Sequence, residues 1–231
     1  MIHKKPNASQ VAIMNPKYKQ IVFSPDYSLD DFTYPSYHLP AFYELWSIWA
    51  KNDRKYWNEV ADISRDFFQK SANTKTGLFF DYAIFTGEPQ KTNFNSNSHL
   101  SAFDSFRVIQ NIATDYLWFG NDNREVESVN KILKFFADQG NYFSIYTLDG
   151  KPQVNYRARA QVSMNPVGTM ISYKPYAKRF IQDLWSQETP RVNTDTIMYY
   201  FIYWDYCMFQ EILKFTEIQN YRKHFQNRFY S

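Results

Sequence analysis

The chain has one cysteine, six glycines and four histidines among 231 residues, and each scarcity removes a class of function. With Cys207 alone there is no internal disulfide framework, and its setting in Tyr206-Cys207-Met208-Phe209 reads as a buried thiol. His3, His38, His99 and His224 are dispersed and stand at no zinc-ligand spacing, so no metal site is expected. The glycines form neither a phosphate cradle nor a dinucleotide fingerprint, and no cofactor is expected. No stretch reaches the roughly 18 consecutive apolar residues of a membrane span. Lys and Arg are scattered, and the net charge of +3 supplies no basic stripe of the kind nucleic acid requires. Neither a membrane nor nucleic acid is expected as a partner.

What is abundant is aromatic: 19 Tyr, 21 Phe and 6 Trp make up 20% of the residues. Flat rings stack on sugar faces and Tyr hydroxyls satisfy sugar hydroxyls, although most rings in such a chain must be core. The 44% hydrophobic content is enough for one large domain. Apolar residues recur at helical spacing nearly throughout, predicting helices over 39–50, 55–72, 104–119, 125–139, 164–185 and 196–215. These pair into three hairpins. Asp53 is expected to cap the second helix, Gly140 to end the fourth, and Pro166 and Pro175 to sit at a first turn or a kink. The stretches 73–102 and 142–163 are long and polar, and long loops in a compact domain are either functional or disordered. Within the first, Asn93-Phe94-Asn95-Ser96-Asn97-Ser98-His99 reads either as a cleft loop or as a polar connection.

Phe103-Asp104-Ser105-Phe106-Arg107-Val108 sets an acid and a cation three residues apart at the head of an apolar helix. Residues at i and i+3 share a face, so the Arg107 guanidinium would hold the Asp104 carboxylate ionised and oriented. That suits a general base, and equally an ordinary intrahelical ion pair.

The wider series of motifs carries more. Asn15-Pro16 and Gln20-Ile21-Val22-Phe23 come first, then Pro35-Ser36-Tyr37-His38-Leu39-Pro40-Ala41-Phe42-Tyr43-Glu44. Thr76-Gly77-Leu78 with Asp81-Tyr82-Ala83 follows, then Asp104 to Val108, then Tyr146-Thr147-Leu148-Asp149-Gly150. This ordered series resembles glycoside hydrolase family 8, and within it the exo-oligoxylanases that release xylose from the reducing end. The resemblance runs from about residue 15 to residue 185.

The resemblance implies an all-α fold, a barrel of six helical hairpins with its cleft at one rim, of which this chain holds three. On that reading residues 1–231 are the carboxy-terminal part of a catalytic domain. The implied activity is inverting hydrolysis of β-1,4-linked xylo-oligosaccharides. Asp104 matches the general base, Arg107 the arginine that orients it, and Tyr37 the tyrosine that positions the water. His38, Glu44 and Asp81 are candidates for substrate binding. For His38 a satisfied structural histidine is the other reading, for Glu44 a solvent-facing side chain or one paired with a cation, and for Asp81 a loop-organising acceptor. Asp115, three turns beyond Asp104, is expected to be a structural acceptor.

The family's general acid, a glutamate, lies in its amino-terminal half. An amino-terminal half is therefore an expected partner, and the alternative is a catalytically inactive carbohydrate-binding remnant or a subunit of a split enzyme. Two departures bear on activity. Tyr34 stands where the family commonly has an aspartate, and Asn155-Tyr156-Arg157-Ala158-Arg159 lacks the histidine that closes the cleft in exo-acting members. Basic residues near Met1 with no apolar run behind them lead us to expect a cytoplasmic enzyme.

Overall fold

The amphipathic stripes of the sequence become three helical hairpins in the computed structural model, which describes residues 11–26 and 28–187. Helix α1 (Pro40–Trp49) pairs with α2 (Arg54–Ser71), α3 (Val108–Trp118) with α4 (Arg124–Asp138), and α5 (Arg159–Thr169) with α6 (Ala177–Trp185). The first helix of each hairpin packs on the first helix of the next, α1 on α3 and α3 on α5. This row of inner helices carries the site. The fold is mostly helical, with one short antiparallel pair, β1 (Phe32–Thr33) and β2 (Ala83–Ile84), in the register Phe32 to Ile84 and Thr33 to Ala83.

Local chemistry sets the helix ends. Pro40 occupies the first turn of α1, where a missing N–H is harmless. The buried stripe of α2 is Trp57, Val60, Ala61, Ser64, Phe67 and Phe68, as the 3.6-residue period requires. Gly140 follows α4 at φ +67°, a left-handed turn that glycine adopts without steric cost. The main core joins Phe68 and Leu78 to Ile109, Ile112, Val129, Leu133, Phe136, Tyr146, Val167 and Phe180, so all three hairpins share one apolar interior.

Three helix expectations are corrected. Asp53 does not cap α2 through its side chain; it sits at φ +61°, turning the chain between α1 and α2. The 104–119 helix begins as a 3-10 turn, Phe103–Arg107, before α3. The stretch 164–185 is not one helix. It breaks after Thr169, and α5 starts earlier, so Pro166 lies inside a helix and leaves the Val162 carbonyl without its N–H partner. The predicted helix 196–215 lies outside the described residues, as does Cys207.

The Thr76-Gly77-Leu78 motif is a buttress. Gly77 is at φ +74°, and a Cβ there would stand 2.9 Å from the Ile132 backbone nitrogen. Thr76 Oγ1 donates to the Leu148 carbonyl at 2.7 Å, fastening one long loop to the other. The backbone bridge between Ser101 and Tyr146 makes a second tie.

Candidate active site

The 3-10 turn Phe103–Arg107 presents Asp104 and Arg107 on one side, and their side chains meet at 2.8 Å, Arg107 Nη2 to Asp104 Oδ2. Both side chains are about 30% exposed (29% and 31%), so the pair is open to solvent. The turn begins in an unusual way. Phe103 has φ +42°, left-handed backbone that a bulky residue adopts at a cost of about 1–3 kcal/mol, and its ring is 46% exposed. Such strain persists only where surrounding contacts hold it.

Asp81 supplies one of them. Its Oδ1 accepts the Asp104 backbone N–H at 3.1 Å, and its Oδ2 accepts from Asn95 Nδ2 at 3.0 Å. It is 1% exposed, with both oxygens turned into the fold. Burial first, and then the Asp104 charge, raise its carboxyl to about 7, against the opposing hydrogen bonds from Asn95 and the backbone. Asp81 therefore takes the loop-organising role rather than an open sugar-facing one. The 93–99 loop is tied to the site through Asn95, and Phe94, 59% exposed, lies tilted against Phe23 and Tyr82.

Opposite Asp104 stands the 3-10 turn Pro35–Tyr37. Arg107 Nη2 donates to Ser36 Oγ at 3.3 Å. From α3, Asn111 Nδ2 donates to the carbonyls of Ser36 (2.8 Å) and His38 (3.1 Å), clamping this turn to the helix that follows Asp104. Tyr37 is half-buried; burial, then the Asp104 charge, raise its hydroxyl pKa, and the Arg107 charge opposes them. Its ring lies 4.5 Å from that of Tyr34, whose hydroxyl donates to Tyr82 Oη at 2.9 Å. Asp104, Arg107 and Tyr37 thus form one cluster, a carboxyl group beside a cation and a phenol.

His38 and Glu44 are not brought into it. His38 is 1% exposed, with Nε2 3.2 Å from Thr33 Oγ1, Nδ1 3.1 Å from Ser64 Oγ, and its ring stacked on Phe67. Both nitrogens are used by the fold, and burial lowers its pKa to about 3, so it is a neutral structural imidazole. Glu44 Oε1 accepts from Arg65 Nη1 at 2.8 Å and from Asn121 Nδ2 at 3.1 Å. Arg65 also holds Asp115 in a two-point contact, at 2.7 and 3.0 Å. Glu44 is therefore the ion-pair partner, and Asp115 the structural acceptor. Among the described residues no group of three or more His, Cys, Asp or Glu is placed to hold a metal ion. None of the described helices is long and apolar enough to cross a membrane.

Comparisons with known proteins show what the chain as a whole is similar to. No family model matches the chain. The reducing-end xylose-releasing exo-oligoxylanase of Halalkalibacterium halodurans is 36% identical over 196 residues, which cover 83% of this chain and 47% of that protein. That of Paenibacillus barcinonensis is 30% identical over 208 residues, 87% of this chain and 54% of that protein. A solved family 8 xylobiose complex from Teredinibacter turnerae superposes with a TM-score of 0.80 at 32% identity, covering 92% of this chain and 55% of that one. The chain belongs to glycoside hydrolase family 8.

It spans about half the length of these family 8 relatives and corresponds to their carboxy-terminal part. The relatives it matches are glycoside hydrolases. Sequence reasoning missed Asn111 and Arg65. Each is a polar side chain inside an apolar helical stripe, and a buried polar residue needs partners. That signal was present in both helices.

Proposed function

We propose that the chain is the base-bearing half of an inverting glycosidase that hydrolyses β-1,4-linked xylo-oligosaccharides and releases xylose from the reducing end. The observation that carries this reading is the Asp104–Arg107 contact, held on a strained turn and facing Tyr37. The identity to exo-oligoxylanases supports the substrate class.

In this mechanism a water molecule attacks the anomeric carbon, and its proton passes to the Asp104 carboxylate. Arg107 fixes that carboxylate and Tyr37 orients the water. The glycosidic C–O bond breaks with inversion, and the leaving oxygen takes a proton from a carboxylic acid on the opposite face, roughly 6.5–9.5 Å from the base. We assign that acid to an amino-terminal half, which pairs with residues 1–231 to complete the six-hairpin barrel. The enzyme works in the cytoplasm on imported oligosaccharides.

One observation favours a second reading, an inactive remnant or subunit that retains sugar binding. Tyr34, buried against Tyr37 and Tyr82, occupies the place of the family's aspartate and brings no carboxylate. Mixing the chain with the amino-terminal half of a family 8 enzyme and following xylotriose by proton NMR separates the two. The first reading predicts release of xylose with an inverted anomer at the new reducing end. Binding without turnover would favour the second.

A further inference from the structure

Asp81 lies 23 residues before Asp104 in sequence, yet it is joined to that residue's backbone rather than to its side chain. Its Oδ1 takes the Asp104 N–H at 3.1 Å, and its Oδ2 is held by Asn95 Nδ2 at 3.0 Å. The residue between the extended backbone of Ala102 and Asp104 is Phe103, a bulky residue at φ +42°. A left-handed phenylalanine is not a conformation the chain adopts unaided, and relaxing it would rotate the next peptide and carry the Asp104 carboxylate with it. A charge-assisted hydrogen bond to that peptide is stronger than a neutral one, and a buried acceptor cannot exchange it for water. Asp81 itself is anchored by its place just before β2 and by backbone bonds of its neighbourhood: its N–H donates to the Leu100 carbonyl, and Tyr82 N–H to that of Ser98, both at 2.8 Å. The acceptor is thus fixed to the scaffold, and the turn is fixed to the acceptor.

We infer that Asp81 is a positioning residue for the reaction, acting through the Asp104 N–H to hold the strained turn that aims the Asp104 carboxylate at the water. This rests on the assignment of Asp104 as the base. Asp81 touches no substrate; its partners are Asn95 and the backbone of the turn, with Asp104, Tyr34 and Tyr37 as the charged or titratable groups whose fields it meets.

Two measurements test it. In the full chain, the amide proton of residue 104 is followed by NMR against pH. An N–H bonded to a carboxylate moves when that carboxylate takes a proton, so a step is expected in the neutral range, where the Asp81 carboxyl titrates at about 7, and it should be absent in Asp81→Asn. No step in the wild type that tracks protonation of Asp81 at any pH, or its persistence in Asp81→Asn, overturns the contact. In the complex with a family 8 amino-terminal half, Asp81→Ala should lower kcat about tenfold or more with KM little changed, whereas Asp81→Asn, whose Oδ1 still accepts the N–H, should restore kcat to within about threefold of wild type. Asp104→Asn in the same assay keeps the two claims apart. If Asp104→Asn is inactive while Asp81→Ala retains wild-type kcat, positioning is wrong and the base assignment stands; if Asp104→Asn remains active, the base assignment falls and takes this inference with it. If Asp81→Ala does not fold, Asp81→Asn decides: kcat near wild type supports positioning by the retained acceptor, and a loss as great as that of Asp104→Asn overturns it.

Discussion

Replacing Arg65 with Met tests the electrostatics of the inner helices without touching the proposed site. The Arg65 side chain is 4% exposed, and it bonds Asp115 (1% exposed) at two points and Glu44 (12% exposed) at one. Nearby Glu125 is buried, and burial, followed by the charge of Asp115, holds its carboxyl well above the usual carboxylate range. Met fills much of the aliphatic volume of Arg, so little cavity is made, and the loss is mainly that of the cation. Removing one partner of a buried pair costs roughly 3–5 kcal/mol, because the other charge stays behind without compensation. A whole domain has only about 5–15 kcal/mol of stability, so Arg65→Met should lose a large share of it. In a chain of this size that is a fall of about 10 °C or more in Tm. The assay is urea and thermal unfolding at pH 7. A loss under about 1 kcal/mol would refute the reasoning.

Gly77→Ala should destabilise by about 2 kcal/mol or more, since it adds left-handed strain to a Cβ contact with the Ile132 backbone nitrogen, and an unchanged urea midpoint would count against the buttress. His38 gives a pH effect of known sign. Its folded pKa of about 3 is below its unfolded value, so the unfolded chain binds the extra proton between those values and stability falls as pH drops from about 6.5 toward 3. Asp81 acts in the opposite sense: its carboxyl is raised to about 7, so the folded chain binds the extra proton and gains stability as pH falls through 7 toward the ordinary carboxylate range. In His38→Gln the loss on acidification should be visibly smaller than in wild type, and equal slopes would mean that the imidazole is not neutral and buried. Trp46, Ile48 and Trp49 expose an apolar face on α1, and Trp185 another on α6. If they border a missing half of the barrel, the isolated chain should self-associate or bind a hydrophobic dye, and a dye-silent monomer at all concentrations would argue for a fold closed on itself.

Periodicity made the first two hairpins legible, because each helix hides one face on a shared core, whereas the third, expected from 164–185 with 196–215, is instead α5 with α6. The ends were harder to read. The break between α5 and α6 lies in Met170 to Tyr176, where Pro175 was visible but the apolar spacing runs on across it. The Asp104–Arg107 contact could be anticipated, since i and i+3 meet on a 3-10 turn as they do on an α-helix. The Asp81 contact could not. It joins a side chain to a backbone N–H across 23 residues, and periodicity carries no information about such a pairing. His38 and Glu44 stood inside the strongest motif, and it is their burial, set by α2 and α3 packing behind them, that makes them structural.

The central claim is that Asp104 is the base of a glycosidase, and its most direct test is the rate of xylose release from xylotriose by the chain joined to a family 8 amino-terminal half, with and without Asp104→Asn. General acid–base contributions are worth about 10²–10⁴ in rate, so the substitution should remove most turnover by that factor while leaving the affinity for xylotriose nearly unchanged. Turnover within a few-fold of wild type would contradict the account and return Asp104 and Arg107 to an ordinary surface ion pair.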